Sequence, residues 1–173
     1  MANPHKPKAK LLILGAGGYG QVIKELAVAT GDYETVDFLD DQSPLAIGRL
    51  DDHPRFLQMY THAVVSIGNA EIRSKYLADL QSAGFQIPVL IHPRASVSGS
   101  AQLGAGTVVE AQSAVGTNAR IGAGTLLCLG CIVNHDAVVG DFCTLQCGSV
   151  VCSNAVLPDK TLLDYNEVKK KKN

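Results

Sequence analysis

The chain has 173 residues, of which 46% are hydrophobic, and its formal net charge at pH 7 is −1. This length suits one ordinary domain or two small ones, and the apolar content is enough for a packed core. The near-neutral charge argues against nucleic acid as a partner and favours a small molecule. The sequence contains neither the ~18 consecutive apolar residues of a membrane-spanning helix nor the apolar stretch of a signal peptide, so we expect a cytoplasmic protein without membrane insertion.

The N-terminal part of the sequence is typical of a small nucleotide-binding unit. A short apolar run at 10–14 predicts a buried parallel strand, the glycine-rich segment 15–20 predicts a tight turn, and residues 21–30 predict an amphipathic helix. The G-x-G-x-x-G spacing lets backbone N–H groups at a helix N-terminus face a phosphate. The same glycines also allow a helix to pack tightly on a strand without any ligand, so the motif alone is a weak indication.

Further elements strengthen this interpretation. Strands are predicted at 35–39 and 63–67, and a helix at 70–83. An acidic residue after the second strand can bind ribose hydroxyls at the edge where the carboxyl ends of parallel strands meet. A unit of about 80 residues is half of a dinucleotide fold, so we expect a mononucleotide rather than NAD. The candidate substrate-binding residues are Gly17, Gly18, Tyr19, Asp40, Asp41, Gly68 and Asn69.

A six-residue repeat occupies the second half of the sequence. Twelve aliphatic residues recur in steps of six from Ile91 to Leu157 without exception, and a small residue follows each of them by four positions. Such self-similarity is typical of a stacked parallel β-helix, in which each unit forms one short strand and one corner. Three strands close one coil, so the repeat predicts about four coils. The fold class is therefore α/β plus a β-solenoid, divided into a flexible N-terminus (1–9), a short Rossmann-like domain (10–88), a β-helix (89–162) and a Lys-rich tail (163–173).

Five cysteines lie within 25 residues, from Cys128 to Cys152. An odd number in a chain without an export signal favours reduced thiols over a disulfide framework. Cys128 and Cys131 form a single C-x-x-C, which is the weakest form of a metal-binding or redox signature, and we predict no metal site. Cys131 and Cys143 stand at small positions of the repeat, so we expect both thiols to be buried core groups.

The combination of the two parts resembles the PglD/NeuD-like sugar acetyltransferases. The likeness covers roughly residues 9–157 and is carried by the segments LILGAGGYGQVIKELA, VDFLDD, SIGNAEIR, LIHPRA and VNHDAVVGDF. This resemblance implies that the β-helix is left-handed and that the protein is a homotrimer with active sites between neighbouring β-helices. It also implies acetyl-CoA as donor and a UDP-linked 4-amino-4,6-dideoxy-sugar, of the bacillosamine type, as acceptor.

The same resemblance assigns candidate catalytic and donor-binding residues. It gives His135 as the base and Asp136 as the residue that orients or polarises it, while Thr144 and Ser153 would contact the acetyl group and the thioester oxygen of acetyl-CoA. The chemistry suits these residues, because imidazole can accept a proton from an attacking amine near neutral pH and a backbone N–H can stabilise an oxyanion. The repeat itself requires no histidine two positions after Val133, although an exposed polar corner residue is the simpler alternative.

Two other functions stay open on the sequence alone. The acceptor could be a hydroxyl group, as in an O-acetyltransferase acting on sialic acid or a related sugar, since no residue separates an amine from an alcohol. The chain could also be a non-catalytic binding or scaffold protein, because the repeat is expected to end soon after Leu157 and part of the CoA site would then be lost. The Lys-rich tail could touch CoA phosphates, but such a segment is more typical of a solvated terminus.

Overall fold

The computed structural model describes residues 8–171 as a small α/β domain packed on a parallel β-helix. Most of the predicted flexible N-terminus, residues 1–7, and the last two residues, 172–173, lie outside the described residues. The N-terminal domain and the β-helix follow one another in the predicted order.

The N-terminal sheet has three parallel strands in the order β2-β1-β3. Its central strand is β1, in which Leu11 to Leu14 are fully buried because both faces of this part of the strand are covered. The predicted strands and helices of this domain are confirmed, and the helix predicted at 70–83 has those bounds. The elements are β1 (Ala9–Leu14), α1 (Gly18–Thr30), β2 (Tyr33–Leu39), a 3-10 turn (Leu50–Asp52), α2 (His53–Phe56), β3 (His62–Val65) and α3 (Ala70–Ala83).

The repeat folds into two-residue strands that form three parallel sheets, one on each side of a triangular prism. We call them sheet 1 (β16-β13-β10-β7-β4), sheet 2 (β17-β14-β11-β8-β5) and sheet 3 (β15-β12-β9-β6). Residues 18 apart pair in every sheet, as in Val133 with Val115 and Val151. The strands are β4 (Leu90–Ile91), β5 (Ser96–Val97), β6 (Gln102–Leu103), β7 (Val108–Val109), β8 (Ala114–Val115), β9 (Arg120–Ile121), β10 (Leu126–Leu127), β11 (Ile132–Val133), β12 (Val138–Val139), β13 (Thr144–Leu145), β14 (Val150–Val151), β15 (Val156–Leu157), β16 (Leu162–Leu163) and β17 (Val168–Lys169).

The inside of the prism contains the aliphatic residues of the repeat and the small residues at its corners. Cys131 and Cys143 are 0% exposed, and both cysteines are free, which confirms that they fill small core positions. The Cys131 thiol also donates to the carbonyl oxygens of Leu145 and Gln146, at 3.1 Å each. These thiols therefore contribute to packing.

The C-terminal end differs from the prediction. The segment expected to be a tail from residue 163 continues the β-helix, since β16 and β17 pair in register with the coil below. Leu163 is 2% exposed and occupies an inward position, so the hydrophobic pattern persists for one more unit. Lys169 takes the next inward position at the open end of the prism, where its apolar stem can cover the last coil while its ammonium group reaches water. The β-helix thus has four complete coils and two further strands.

The N-terminal domain packs on sheet 1. The outward side chains Leu90, Val108 and Leu126 of this sheet are buried in one apolar cluster with residues of β1 and α1, including Ile13 and Ile23. Burial of this continuous apolar surface stabilises one fixed arrangement of the two domains. The carboxyl edge of the N-terminal sheet is therefore held at a defined position beside the β-helix.

Candidate active site

His135 and Asp136 lie at the corner between β11 of sheet 2 and β12 of sheet 3. The His135 Nδ1 atom is 2.8 Å from Asp136 Oδ2, and the two side chains are 53% and 45% exposed. The hydrogen bond from His135, followed by one from Asn118, holds the pKa of the Asp136 carboxyl below its usual value. An ionised carboxylate on Nδ1 favours the tautomer with Nδ1 protonated, so Nε2 is the nitrogen that can accept a proton.

Two residues in the adjacent coils complete this corner. One coil below, Asn118 Nδ2 donates to Asp136 Oδ1 at 3.2 Å. One coil above, Ser153 occupies the position equivalent to His135, and the following N–H group, that of Asn154, donates to the His135 carbonyl at 3.3 Å. The N–H of Ser153 has no hydrogen-bond partner within residues 8–171. The predicted oxyanion donor is therefore next to the predicted base and is free to bind an oxygen.

A polar groove of about 390 Å³ extends from Asp136 toward the N-terminal end of the prism. Arg120, on the outward face of β9, forms no salt bridge with another residue of the described chain. The groove is open and polar, so it can admit a hydrophilic molecule beside Asp136. It is lined by Ser100, Gln102, Asn118, Arg120, Asp136 and Val138.

Thr144, the other predicted acetyl-CoA contact, is on a different side of the molecule. It begins β13 of sheet 1, and its hydroxyl accepts a hydrogen bond of 3.1 Å from Arg73 Nη2 of the N-terminal domain. Sheet 1 lies opposite the corner that carries His135, because that corner joins the other two sheets. Within one chain the structure does not bring Thr144 to His135, and the predicted contact with the acetyl group would need the His135 of another chain.

The glycine turn lies at the carboxyl edge of the N-terminal sheet, as predicted. Gly17 is the N-cap of α1 and makes no side-chain cap, and the first turn of this helix contains no acidic residue. A Cβ on Gly17 or Gly18 would meet nothing within 4 Å, whereas one on Gly20 would collide with the Gly15 carbonyl. Gly20 therefore serves the close packing of the helix on the strand, while the other two leave an open helix N-terminus that suits an anion.

The two aspartates after β2 hold the loops of this crevice. Asp40 Oδ2 accepts the Ala16 N–H at 2.8 Å, and its Oδ1 accepts the N–H groups of Gln42 and Ser43. These backbone bonds, first of all that from Ala16, keep the pKa of Asp40 below its usual value. Asp41 Oδ1 accepts the Leu50 N–H at 3.2 Å and is 3.4 Å from the Arg49 Nε. Both carboxylates thus have structural partners, and their predicted contact with a ribose stays a prediction.

The third strand contributes Gly68 and Asn69 to the same edge. Asn69 is the N-cap of α3, and its Oδ1 accepts the Ile72 N–H at 3.0 Å. The Gly68 carbonyl accepts a 2.8 Å bond from Nη1 of Arg73, a residue that the sequence did not single out. Arg73 is 0% exposed and also binds carbonyls of the β-helix, so it connects the crevice to sheet 1. A charged residue in the first turns of a helix is usually solvated, and no periodicity indicates this burial.

Tyr19, another of the predicted substrate-binding residues, directs its side chain into the protein. Its ring packs between the apolar clusters of both domains. Its hydroxyl is buried, and no residue of the described chain forms a hydrogen bond with it at normal distance and angle. The Glu110 carboxyl and the Cys128 thiol lie beside it, and burial raises the pKa of all three groups. Only the backbone of Tyr19 belongs to the open helix N-terminus. The buried Glu110 was also not expected, because it stands at a corner position where charged residues are usually solvated.

No group of three or more His, Cys, Asp or Glu residues in 8–171 is arranged to hold a metal ion. Across the same residues, the longest apolar helices are too short to span a membrane.

Comparison with known proteins supports both domains. Residues 10–80 match the model of the PglD N-terminal domain family. The chain is 33% identical over 112 residues to UDP-N-acetylbacillosamine N-acetyltransferase of Bacillus subtilis (strain 168), which covers 57% of this chain and 50% of that protein. The chain thus spans about half the length of this curated relative.

Solved structures extend the similarity to the whole β-helix. The acetyltransferase domain of PglB from Neisseria gonorrhoeae FA1090, in complex with acetyl coenzyme A, is 30% identical, with a TM-score of 0.91 over 95% of this chain and 83% of that chain. A variant of perosamine N-acetyltransferase from Caulobacter crescentus, in complex with CoA and GDP-perosamine, is 23% identical, with a TM-score of 0.83 over 94% of this chain and 89% of that chain. This second likeness shows the fold alone.

A nucleotide-type α/β domain joined to a left-handed β-helix of six-residue units, with an exposed histidine at one corner, defines a hexapeptide-repeat protein of the acyltransferase class. Within this class, the family match and the similarity to PglB cover both domains. The chain belongs to the PglD/NeuD-like sugar acetyltransferase family, as its sequence motifs indicate.

Proposed function

We propose that this protein is an acetyl-CoA-dependent N-acetyltransferase, active as a cytoplasmic homotrimer, that acetylates the 4-amino group of a UDP-linked 4-amino-4,6-dideoxy-sugar. The observation that carries the proposal is the 2.8 Å pair of His135 Nδ1 and Asp136 Oδ2 on an exposed corner. Family relatives support the substrates, since one is named as a UDP-N-acetylbacillosamine N-acetyltransferase and another was solved with acetyl coenzyme A.

In the proposed reaction the sugar amine attacks the thioester carbonyl carbon of acetyl-CoA. His135 Nε2 accepts the amine proton, and Asp136 stabilises the resulting imidazolium. The C–S bond then breaks, the CoA sulfur takes the proton from His135, and the products are an amide and a free thiol. The Ser153 N–H, which has no hydrogen-bond partner within residues 8–171, stabilises the oxyanion that develops on the carbonyl oxygen.

The nucleotide binds at the edge of the N-terminal sheet in this proposal. The first turn of α1 offers uncapped N–H groups and the positive end of a helix dipole to the pyrophosphate. UDP should therefore raise the melting temperature of the wild-type protein by mass action. Gly18→Asp places a carboxylate at this position, where the extra side chain meets no neighbour, and should abolish the shift without unfolding the protein.

Apolar side chains beside the catalytic corner support association of β-helices there. Ile132, Val138 and Val156 are 42%, 37% and 61% exposed on the two sheets that flank His135. Contiguous exposed apolar residues of this kind mark protein–protein contacts. Light scattering coupled to size-exclusion chromatography should give the mass of a trimer.

The deciding experiment offers acetyl-CoA with UDP-linked 4-amino-sugars, a GDP-linked amino-sugar and sialic acid, and follows thiol release and product mass. We expect turnover with a UDP-linked amine, and a loss of about 10²–10⁴-fold in kcat for His135→Ala. His92→Ala is the matched control, because His92 Nδ1 accepts the Arg94 N–H in the first coil, away from the corner. Near wild-type turnover by His135→Ala, or an ester product from sialic acid alone, would refute the proposal.

A further inference from the structure

Asn118 is fixed beside the catalytic corner by the repeat itself. It precedes Asp136 by one coil, and both residues have left-handed backbones, with φ of 57° and 58°. The Asn118 N–H donates to Ser100 Oγ at 3.0 Å, and the Thr117 carbonyl accepts the Asp136 N–H at 2.9 Å. The two side chains are therefore stacked by backbone pairing and do not depend on a flexible loop.

The side-chain geometry forms a chain of three groups. The Asn118 amide donates to one oxygen of Asp136 at 3.2 Å, and the other oxygen of Asp136 contacts His135 Nδ1 at 2.8 Å. We propose that Asn118 is a positioning residue for the reaction, because it fixes the carboxylate plane of Asp136 so that this residue holds His135 in the tautomer with a free Nε2. This inference rests on the proposed function of His135.

The surroundings make this contact specific. Asp136 is about half-exposed, so without a second partner its carboxylate could turn toward water and leave Nδ1. On the coil below, Arg120 is the charged side chain that lines the groove with Asp136; on the coil above, Ser153 and Asn154 do not titrate near neutral pH. The amide of Asn118 is thus the neutral donor that completes the hydrogen bonding of the carboxylate.

Asn154 provides a matched control. It occupies the equivalent position one coil above, with φ of 59°, but its side chain makes no hydrogen bond within residues 8–171. Glycine accepts a left-handed backbone without strain, so Asn118→Gly and Asn154→Gly remove the two side chains at equal backbone cost. We expect kcat to fall about tenfold in Asn118→Gly, the usual effect of losing a hydrogen bond to a charged group, and to change less than twofold in Asn154→Gly.

The pH dependence separates positioning from a purely structural role. In Asn118→Gly the imidazolium is less well stabilised, so the midpoint of the acid limb of the kcat profile should move to lower pH, with unchanged KM for both substrates. Asn118→Asp adds a negative charge beside the pair and should move the midpoint to higher pH. Nitrogen-15 NMR of histidine, which needs no substrate, should show His135 mainly protonated at Nδ1 in the wild type and as a tautomer mixture in Asn118→Gly.

His135→Ala, measured in parallel, separates the hypothesis that His135 is the base from the hypothesis that Asn118 positions it. If His135→Ala is inactive while Asn118→Gly matches Asn154→Gly in kcat, pH profile and tautomer ratio, the positioning role of Asn118 is refuted. The proposed role of His135 as the base is then retained. If His135→Ala keeps its activity, both the role of His135 as the base and the positioning role of Asn118 are refuted. Loss of activity in Asn118→Gly together with the tautomer change supports the positioning role.

Discussion

Replacing Arg73 with methionine should destabilise the contact between the two domains strongly. The guanidinium is fully buried, and its five N–H groups reach six acceptors, with those of Nη2 shared among three; four of the acceptors are carbonyl oxygens or a hydroxyl of the β-helix. Methionine keeps most of the apolar stem, so the substitution removes the donors with little change in packed volume.

The expected loss follows from the acceptors that remain. Two of the bonds, to the carbonyls of Gly124 and Cys143, are completely buried. The Cys143 carbonyl also accepts the Leu126 N–H at 2.9 Å and keeps that donor in the variant, whereas the Gly124 carbonyl loses its donor. A buried acceptor without its donor costs about 1–3 kcal/mol, so the Gly124 carbonyl alone should cost about that much. The partly buried acceptors can regain water and add less. A folded protein of ordinary stability has a free energy of unfolding of about 5–15 kcal/mol. The Arg73→Met substitution should therefore remove a substantial part of it.

Urea unfolding followed by circular dichroism measures this loss. Arg55→Met is the control, because Arg55 is 80% exposed and its ion pair with Asp52 lies at the surface. Such pairs contribute about 0–1 kcal/mol, so the control should keep a nearly wild-type midpoint. Equal midpoints for Arg73→Met and Arg55→Met would contradict the view that the buried guanidinium holds the domains together.

Three further outcomes are expected. Gly20→Ala should cost about 1–3 kcal/mol of stability by overpacking, measured by thermal unfolding, whereas Gly18→Ala has room for its methyl group. Asp40→Asn should lower the free energy of unfolding at pH 7, because backbone N–H groups stabilise the ionised carboxylate and hold the Asp40 pKa below its usual value. The difference in free energy of unfolding between wild type and variant should persist above pH ~4 and shrink as the pH falls through the lowered pKa. In alkylation followed by mass spectrometry, the buried Cys128 thiol, whose pKa is raised, should resist the reagent while the half-buried Cys152 reacts.

The β-helix could be predicted from the sequence because its stability depends on local repetition. Residues 18 apart stack in every coil, so the inward column from Val97 to Val151 and the buried Cys131 follow from spacing alone. The same dependence on apolar spacing ends the predicted β-helix too early, at residue 162. A lysine at the inward position of residue 169 breaks the apolar pattern, although an open end tolerates a long stem with a solvated tip.

The contacts between domains could not be predicted in this way. Arg73, Glu110 and the Tyr19 hydroxyl are buried because the N-terminal domain docks on sheet 1, and no local period specifies docking. Similarly, the resemblance identified His135 and Asp136, but the donor from Asn118 became visible only when the coils were stacked. The motifs therefore indicated the candidate reacting groups, while the groups that contact them required the three-dimensional structure.

The two halves of the proposed site lie on opposite sides of one chain. The crevice around Gly18 belongs to a domain that packs on sheet 1, whereas His135 stands at the corner between the other two sheets. A sugar bound in the crevice can therefore meet a base only from a neighbouring chain, as a trimer would provide. Mixing His135→Ala with Gly18→Asp, each inactive alone, should then restore about a quarter of wild-type activity after random reassembly, since each interface needs one intact base and one intact crevice from different chains. A site contained within one chain predicts no recovery, and recovery must also disappear when the two variants are kept as separate trimers.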